Sequence, residues 1–368
     1  MKGIECIELR KFITEYKQKN EKNEFKPVAV GKYGIRTRES IYSKELAKDY
    51  SKNKIIFKNT LTVGMGSRQI DIGILTDDVI YSVSPAYHTY KISGINADYL
   101  RYCLMCRNED MFKRFVKRGR RQGKSIDLKR WLEYEIPVYD VCNQEKIVLK
   151  LNKVTNVISM RKQQLQKLDE LIQARFVEMF GDPVCNSHDL PEATLPELGE
   201  FGRGVSKHRP RNDSNLLGGR YPLIQTGDVA TSELYITSYT NTYSELGLKQ
   251  SKMWKKGTLC ITIAATIAKT AILAFDACFP DSVVGFIANE KTNNVFVHYW
   301  FTFFQSILEA QAPESAQKNI NLKILSELKI IVPKKELQDE FVTFVNQVNK
   351  SKLVIKNLLQ IYKHQIQM

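Results

Sequence analysis

The chain has 368 residues, 43% of them hydrophobic, and 55 Lys and Arg against 40 Asp and Glu, for a formal charge of +15 and a pI near 9.3. This is length for two or three domains and apolar content for sizeable cores, which excludes disorder on a large scale. The basic excess favours a polyanionic partner, either nucleic acid or an anionic membrane surface.

The opening MKGIECIELRKF has no apolar core of signal-peptide length. GKYGIRTR (residues 31–38) then sets Lys32, Arg36 and Arg38 among glycines, which suits a loop approaching a phosphate backbone. NKIIFKN (53–59) and DDVIYSVS (77–84) are rich in Ile, Val, Phe and Tyr and bounded by turn residues, so they predict strands. Between them TVGMGSRQIDIG (62–73) places small residues around Arg68 and Gln69. Such a loop lets a cation reach an anion or a guanine edge, and an ordinary hairpin with a surface cation fits it equally well. Its Gly64-Met65-Gly66 is no dinucleotide fingerprint, because the sixth position of that pattern is Gln69.

NADYLRYCLMCRNEDMFKRFVKR (96–118) predicts a helix. Cys103 and Cys106 form a single CxxC without a second half, so they predict buried cysteines on that helix and no metal site. Seven scattered cysteines indicate a reducing cytoplasm. Residues 111–130 carry nine bases and one acid, including Arg118, Arg120, Arg121 and Lys124. A run of this kind is ordinarily a solvated face; its recurrence in a second part of the chain shifts the balance towards phosphate binding.

The centre, MRKQQLQKLDELIQARFVEMFGDP (160–183), reads as the end of a long charged helix stopped by Gly181, Asp182 and Pro183. Ile147, Leu151, Val154, Ile158, Leu165, Leu168 and Ile172 alternate steps of four and three if Arg161 fills the missing place. Phe341, Val345, Val348, Ile355, Leu359, Tyr362 and Ile366 do the same near the end of the sequence, with Lys352 in the gap. Two heptad seams predict two long rods that bury their stripes on each other, in antiparallel fashion. Each rod packing on its own domain is the alternative. Full antiparallel overlap would bring Arg161 and Lys352 together. The register is then shifted, or both side chains snorkel, or a third partner supplies acids.

The second half opens on FGRGVSKHRPRN (201–212), with Lys207, Arg209 and Arg211. Its most apolar run, LCITIAATIAKTAILAF (259–275), is short for a membrane span and carries Lys269 near its middle, so it predicts two strands joined by a tight turn. SVVGFIA (282–288) predicts a further strand, and VFVHYWFTFFQSILEAQ (295–311) a helix.

The chain also repeats itself. A shift of 194 residues lays 126–154 over 320–348 without a gap, and 10 of 29 positions are identical, among them Leu128, Glu133, Ile136, Gln144 and Asn152. Unrelated segments match at about one position in fifteen. The repeat implies two copies of an α+β domain, each followed by a helix. No motif for nucleotide triphosphate binding, zinc proteolysis or serine hydrolysis is present, nor the Asn-Pro-Pro-aromatic tetrapeptide of amino-methylating DNA methyltransferases. The residues predict a binder without its own chemistry and with no metal.

Two α+β domains, each followed by a long helix, resemble the specificity subunit of type I restriction–modification systems, the HsdS family. LQKLDELIQARFVEMFGDP (165–183) carries the resemblance most specifically, being similar to that family's first spacer helix. YPLIQTGDV (221–229), TIAKTAIL (266–273), QKNINLKILSELKIIVP (317–333), VSPAY (83–87) and LEYEIPV (132–138) resemble its recognition domains. The resemblance implies a target-recognition domain at 1–139, a central spacer helix at 140–182, a second recognition domain at 183–333 and a closing spacer helix at 334–368. It implies double-stranded DNA as ligand, one half of a split target for each domain, and paired rods that fix the gap. Gln317, Lys318 and Asn319 join the basic residues above as candidate DNA contacts. Partners would be two modification subunits bringing S-adenosylmethionine chemistry and restriction subunits using ATP and Mg, with no cofactor in this chain. The competing classes are a methyltransferase or nuclease with its own recognition domains, and a coiled-coil structural protein that binds nucleic acid non-specifically.

Overall fold

The computed structural model describes residues 5–32, 34–41, 49–119, 123–208, 210–211, 213–264, 266–311 and 320–367. The chain forms two compact units, Met1–Arg161 with Leu358–Met368, and Lys162–Asn357. Two long helices, Val141–Phe180 and Lys335–Gln367, are shared by both units. The unit boundary therefore falls inside the helices and not at their ends.

The first unit is built on a four-stranded antiparallel sheet in the order Ile13–Glu15, His88–Ile92, Thr60–Met65, Ile70–Leu75. Helices Ala97–Cys106 and Asn108–Phe115 cover it through Leu100, Leu104 and Met111, which pack with Leu61, Val63, Ile72 and Trp131. The helix expected over 96–118 is thus two helices broken at Arg107, and its basic end is a strand, Val116–Gly119. On the first helix Cys103 is half-buried, but Cys106 is exposed, a correction to the expectation that both are buried.

The second unit repeats the order. Gly199–Arg203, Val283–Ala288, Leu259–Thr262 and Thr270–Leu273 lie side by side, followed by Tyr235–Ile236 as a fifth, parallel strand. The apolar run 259–275 is a hairpin, with Leu259 opposite Ile272. Among the described residues no helix is long and apolar enough to cross a membrane.

The 194-residue repeat is visible atom by atom. Asp127 and Asn321 each cap a short helix, accepting from the backbone N–H of Arg130 and Ile324 at 3.4 and 2.8 Å. Trp131 and Leu325 fill the same buried place in the two copies. Gln144 donates to the Tyr139 carbonyl at 2.7 Å and accepts from the Asn96 N–H at 2.9 Å. Gln338 donates to the carbonyls of Pro333 and Lys291 at 2.9 and 3.0 Å and accepts from the Thr292 hydroxyl at 3.0 Å. In both copies a buried amide ties the start of a long helix to the strand before it and to the start of a domain helix.

The central helix ends where its sequence says it must. Gly181 takes φ +75°, a conformation costly for residues with a Cβ, and its N–H closes on the Val177 carbonyl at 2.8 Å. Along both helices the seam positions are the less exposed ones. Ile147, Leu151, Val154, Leu165 and Leu168 are partly buried and Ile158 and Ile172 fully, as are Phe341, Val345, Val348, Ile355 and Leu359; Tyr362 is partly buried. The side chain of Ile366 lies outside the described residues.

In the second unit the two helices run antiparallel. Arg175 donates to Glu340 at 2.9 Å and Lys352 to Asp169 at 2.5 Å, so rising numbers on one helix meet falling numbers on the other. The seam also extends past its expected last member, Ile172. Phe176 and Phe180 are fully buried, and the Phe176 ring lies 5.3 Å from that of Phe341 and 5.2 Å from that of Phe296. Lys352 obtains its acids from Asp169 and, at 3.0 Å, from Glu233, which also meets Lys356 at 2.5 Å. Of the three solutions open from the sequence, two apply in this unit: Lys352 faces Asp169 of the central helix, a register other than the one that pairs it with Arg161, and Asp169 and Glu233 supply acids.

Candidate nucleic-acid interface

In the first unit two basic hairpins meet. The turn between Thr60–Met65 and Ile70–Leu75 closes with the Gly66 N–H on the Gln69 carbonyl at 3.1 Å, leaving Arg68 exposed at the tip. Gln69 is partly buried, and its side chain hydrogen-bonds Asp71, whose pKa burial nonetheless raises. Asn108 fixes the hairpin from the helix side, accepting from the Ile70 N–H at 3.1 Å and donating to its carbonyl at 2.8 Å. The second hairpin pairs Val116–Gly119 with Gly123–Ile126. From it Lys124 reaches across to the Ser67 carbonyl and lies 5.5 Å from the Phe112 ring centroid. Arg68 and Lys124 are thereby gathered at one hairpin turn.

Lys32 and Arg36 are exposed on the neighbouring pair of strands, Val28–Gly31 and Gly34–Thr37, and at its turn. Arg38 follows in the Arg38–Ser40 turn of 3-10 helix, partly buried, with its guanidinium carbon 5.2 Å from the Tyr50 ring centroid. Other cations of the basic run are already compensated. Lys113 pairs with Glu109, Arg114 with Asp110, and Lys117 with Asp127, at 2.6 to 2.7 Å. Arg120, Arg121, Arg209, Gln317, Lys318 and Asn319 lie outside the described residues, as does the side chain of Arg118.

The second unit places its candidates differently. Lys207 is exposed, on a loop held by Gln250, which accepts from the N–H groups of Lys207 and His208 at 2.6 and 3.0 Å. Arg211 forms an ion pair with Asp281. Lys269 lines a cleft of about 260 Å³ with Asp169, Glu233, His298 and Lys352. Burial drives the His298 pKa down to about 4, with Lys269 and Lys352 adding to the effect, so this imidazole is neutral at pH 7 and accepts or donates only through hydrogen bonds such as that to Thr270 at 2.9 Å. Sequence reasoning did not find this polar cleft, because its members are far apart in the chain. Gln144 and Gln338 were legible only as identities in the repeat.

Among the described residues no three of His, Cys, Asp and Glu converge as a metal site. What the geometry offers is two domains of one design, with exposed cations on turns and loops. Loops of that kind contact phosphates and groove edges.

The sequence matches the type I restriction modification DNA specificity domain over residues 7–170 and again over 192–361, and the chain belongs to that family. Among curated relatives, a protein named as the type I restriction enzyme MjaX specificity subunit of Methanocaldococcus jannaschii is 23% identical over 291 residues, which cover 71% of this chain and 66% of the relative. The chain thus spans about two thirds of the length of that relative. Two solved structures share the fold. One, from work on complex assembly and conformational transition of the type I R-M system, has a TM-score of 0.58 at 15% identity, covering 100% of this chain and 96% of that one. The other, the type I restriction-modification S subunit from M. genitalium, has a TM-score of 0.54 at 14% identity, covering 100% and 95%.

Proposed function

We propose that this chain is the DNA-reading subunit of a type I restriction–modification complex, with no catalytic site of its own. The observation that carries this reading is the duplication. One domain design, with the same sheet order, the same helix cap and the same buried glutamine, occurs twice and is followed each time by a long helix. A bipartite DNA target needs two readers and a fixed distance between them. Each domain reads one half, and the helices set the gap. Exposed apolar side chains along the helices, Leu149, Met160, Leu353 and Val354 among them, give modification subunits a surface to dock on. Those subunits supply S-adenosylmethionine chemistry, and restriction subunits supply ATP- and Mg-dependent translocation and cleavage, in the cytoplasm.

Exchange of residues 183–333 for the matching domain of another specificity subunit tests the reading. Methylation mapping should show one half of the target changed and the other kept. A change in both halves, or in neither, defeats it. The chain purified alone should transfer no methyl groups to DNA; robust methylation by the lone polypeptide favours the methyltransferase alternative.

A further inference from the structure

A cleft of about 290 Å³ opens beside the Arg68 hairpin of the first unit, walled by Arg38, Gly64, Met65, Ser84, Ala86 and Tyr87. Its floor is firmly built. The Tyr87 hydroxyl donates to the Val30 carbonyl at 3.0 Å, and the ring presses on the strand at Gly64, where a Cβ would come within 2.3 Å of it. Arg38 enters from the side, its guanidinium over the Tyr50 ring. The Arg38 Nε is buried and has no hydrogen-bond partner among the described residues. A buried donor without an acceptor costs about 1–3 kcal/mol, so one retained on a cleft wall calls for an acceptor in use. A guanidinium presents its N–H groups in a planar fork that matches two oxygens of a carboxylate or phosphate.

The second unit fills the corresponding place from within. Its Phe279-Pro280-Asp281 loop leads into strand Val283–Ala288 as Ser84-Pro85-Ala86 leads into His88–Ile92. Aligned on the prolines, Asp281 stands for Ala86, and Asp281 holds Arg211 in an ion pair. The first unit sets a cation before the same loop, with no acid in the loop.

We propose that the Arg38 cleft binds a backbone phosphate of the DNA read by the first domain, an inference that rests on the specificity-subunit reading above. A phosphate supplies both the charge and the paired oxygens that Asp281 supplies to Arg211. A neutral base edge supplies acceptors but leaves the Arg38 charge uncompensated. Arg38 is then a positioning residue that fixes where the domain sits along the duplex and carries no base preference.

The test is DNA titration over a salt series, using the chain co-expressed with its modification subunits and a duplex bearing the mapped methylation target. Arg38→Ala should weaken binding roughly tenfold, the value of one charge-assisted hydrogen bond, and lower the log–log salt slope by about one. The loss should be equal on duplexes intact or altered in the first half-site. Ala86→Asp should reproduce it by giving Arg38 an internal carboxylate, whereas the neutral Ala86→Asn should bind as the parent does. Ala86 is exposed, so both loop variants should fold. An unchanged slope in Arg38→Ala, or equal losses in the two Ala86 variants, overturns the proposal. A changed base preference in the first half overturns it in favour of a base contact. If inorganic phosphate protects the parent but not Arg38→Ala against heat while the DNA slope stays the same, the cleft takes a free anion and the DNA contact is refuted. A parent complex with no salt-dependent DNA binding removes the specificity-subunit reading itself.

Discussion

Gln144 and Gln338 stand 194 residues apart and occupy one and the same place in two copies of a fold. Each is almost completely enclosed, at 2% and 0% exposure, and each donates to the carbonyl of the residue five positions before it. Truncating Gln144 to alanine leaves one carbonyl and one N–H unmatched, and truncating Gln338 leaves two carbonyls and a hydroxyl. Each unmatched group of this kind costs about 1–3 kcal/mol. Gln144→Ala and Gln338→Ala should each lower stability by about 2–4 kcal/mol, measured by denaturant unfolding. A change below about 0.5 kcal/mol in both, the level of an ordinary surface substitution, would show that the amides do not anchor the helices.

Lys352 should respond asymmetrically to substitution. Its side chain is 6% exposed, while those of Asp169 and Glu233 are 59% and 55% exposed. Lys352→Met keeps the seam filled and frees both acids to turn to water, so stability should change by less than about 1 kcal/mol. Asp169→Asn combined with Glu233→Gln strands the ammonium and should cost about 3 kcal/mol. Equal costs for the two variants would contradict the assignment.

The same cluster fixes a pH window. Burial pulls the Lys352 pKa down, but hydrogen bonds to Asp169 and Glu233 outweigh this and leave it raised. Burial pushes the Glu233 pKa up, yet the hydrogen bonds from Lys356 and Lys352 leave it lowered. A raised lysine contributes fully below its unfolded pKa, about 10.4, and loses that contribution only as pH rises through the folded value above it. A lowered glutamate contributes above its unfolded pKa, about 4.3, and loses this as pH falls through the folded value. The cluster's contribution should therefore be flat from about pH 5 to 10. The difference in unfolding free energy between the parent and the doubly neutralised variant should shrink below about pH 4. A difference that grows on acidification would reverse the sign.

The basic run over residues 111–130 gives a prediction in DNA binding. Replacing Arg118, Arg120, Arg121 and Lys124 by alanine should weaken binding and reduce the salt slope by about one for each phosphate left without its cation. Arg211→Ala should have a smaller effect, because Asp281 already engages that guanidinium. The reverse order of effects would move the interface to the second unit's entry loop.

Helix length should set the gap between half-sites. Four residues inserted after the exposed Gln163 add about 6 Å with little rotation, against about 3.4 Å per base pair. The preferred gap should lengthen by one or two base pairs while the bases read stay the same. An insertion after Gln173, beyond Ile172, looks harmless on the seam that the sequence alone defines. It would carry Phe176 and Phe180 out of register with Phe296 and Phe341, and should cost about 3–5 kcal/mol for each ring displaced. Methylation mapping and thermal unfolding read the two outcomes. A stable, active variant of either kind with an unaltered gap would assign the helix to linking alone.

Much of this architecture was legible because it depends on period. Alternation marked the 259–275 hairpin, the four-three rhythm marked both helices, and Gly181 before Asp182-Pro183 marked the stop. What escaped depends on distance in the fold. Nothing near Lys352 in the sequence announces Asp169, 183 positions away, or Glu233. Arg211 looks as available as Arg38 until Asp281 is found opposite it. Phe176 and Phe180 were left out of the seam because the rhythm there changes to steps of four, as the stripe turns from a neighbouring helix towards a domain core. The polarity of 107–119 hid a helix break and a strand, since a basic run carries little of the apolar pattern that separates the two.

Phe176 and Phe341 share one core although 165 residues separate them. During synthesis, therefore, the second unit has all its strands, and the helix Asn294–Gln311, before it has the side chains that seal them. Phe176, Phe180 and Phe296 wait as an uncovered aromatic surface until Phe341 and Val345 emerge from the ribosome. At translation rates of about 5–20 residues per second, the closing helix arrives seconds after the sheet it completes. A nascent chain paused between residues 332 and 340 would be a sticky one. Chaperone engagement, and the yield of any truncated form, should change sharply on passing Phe341.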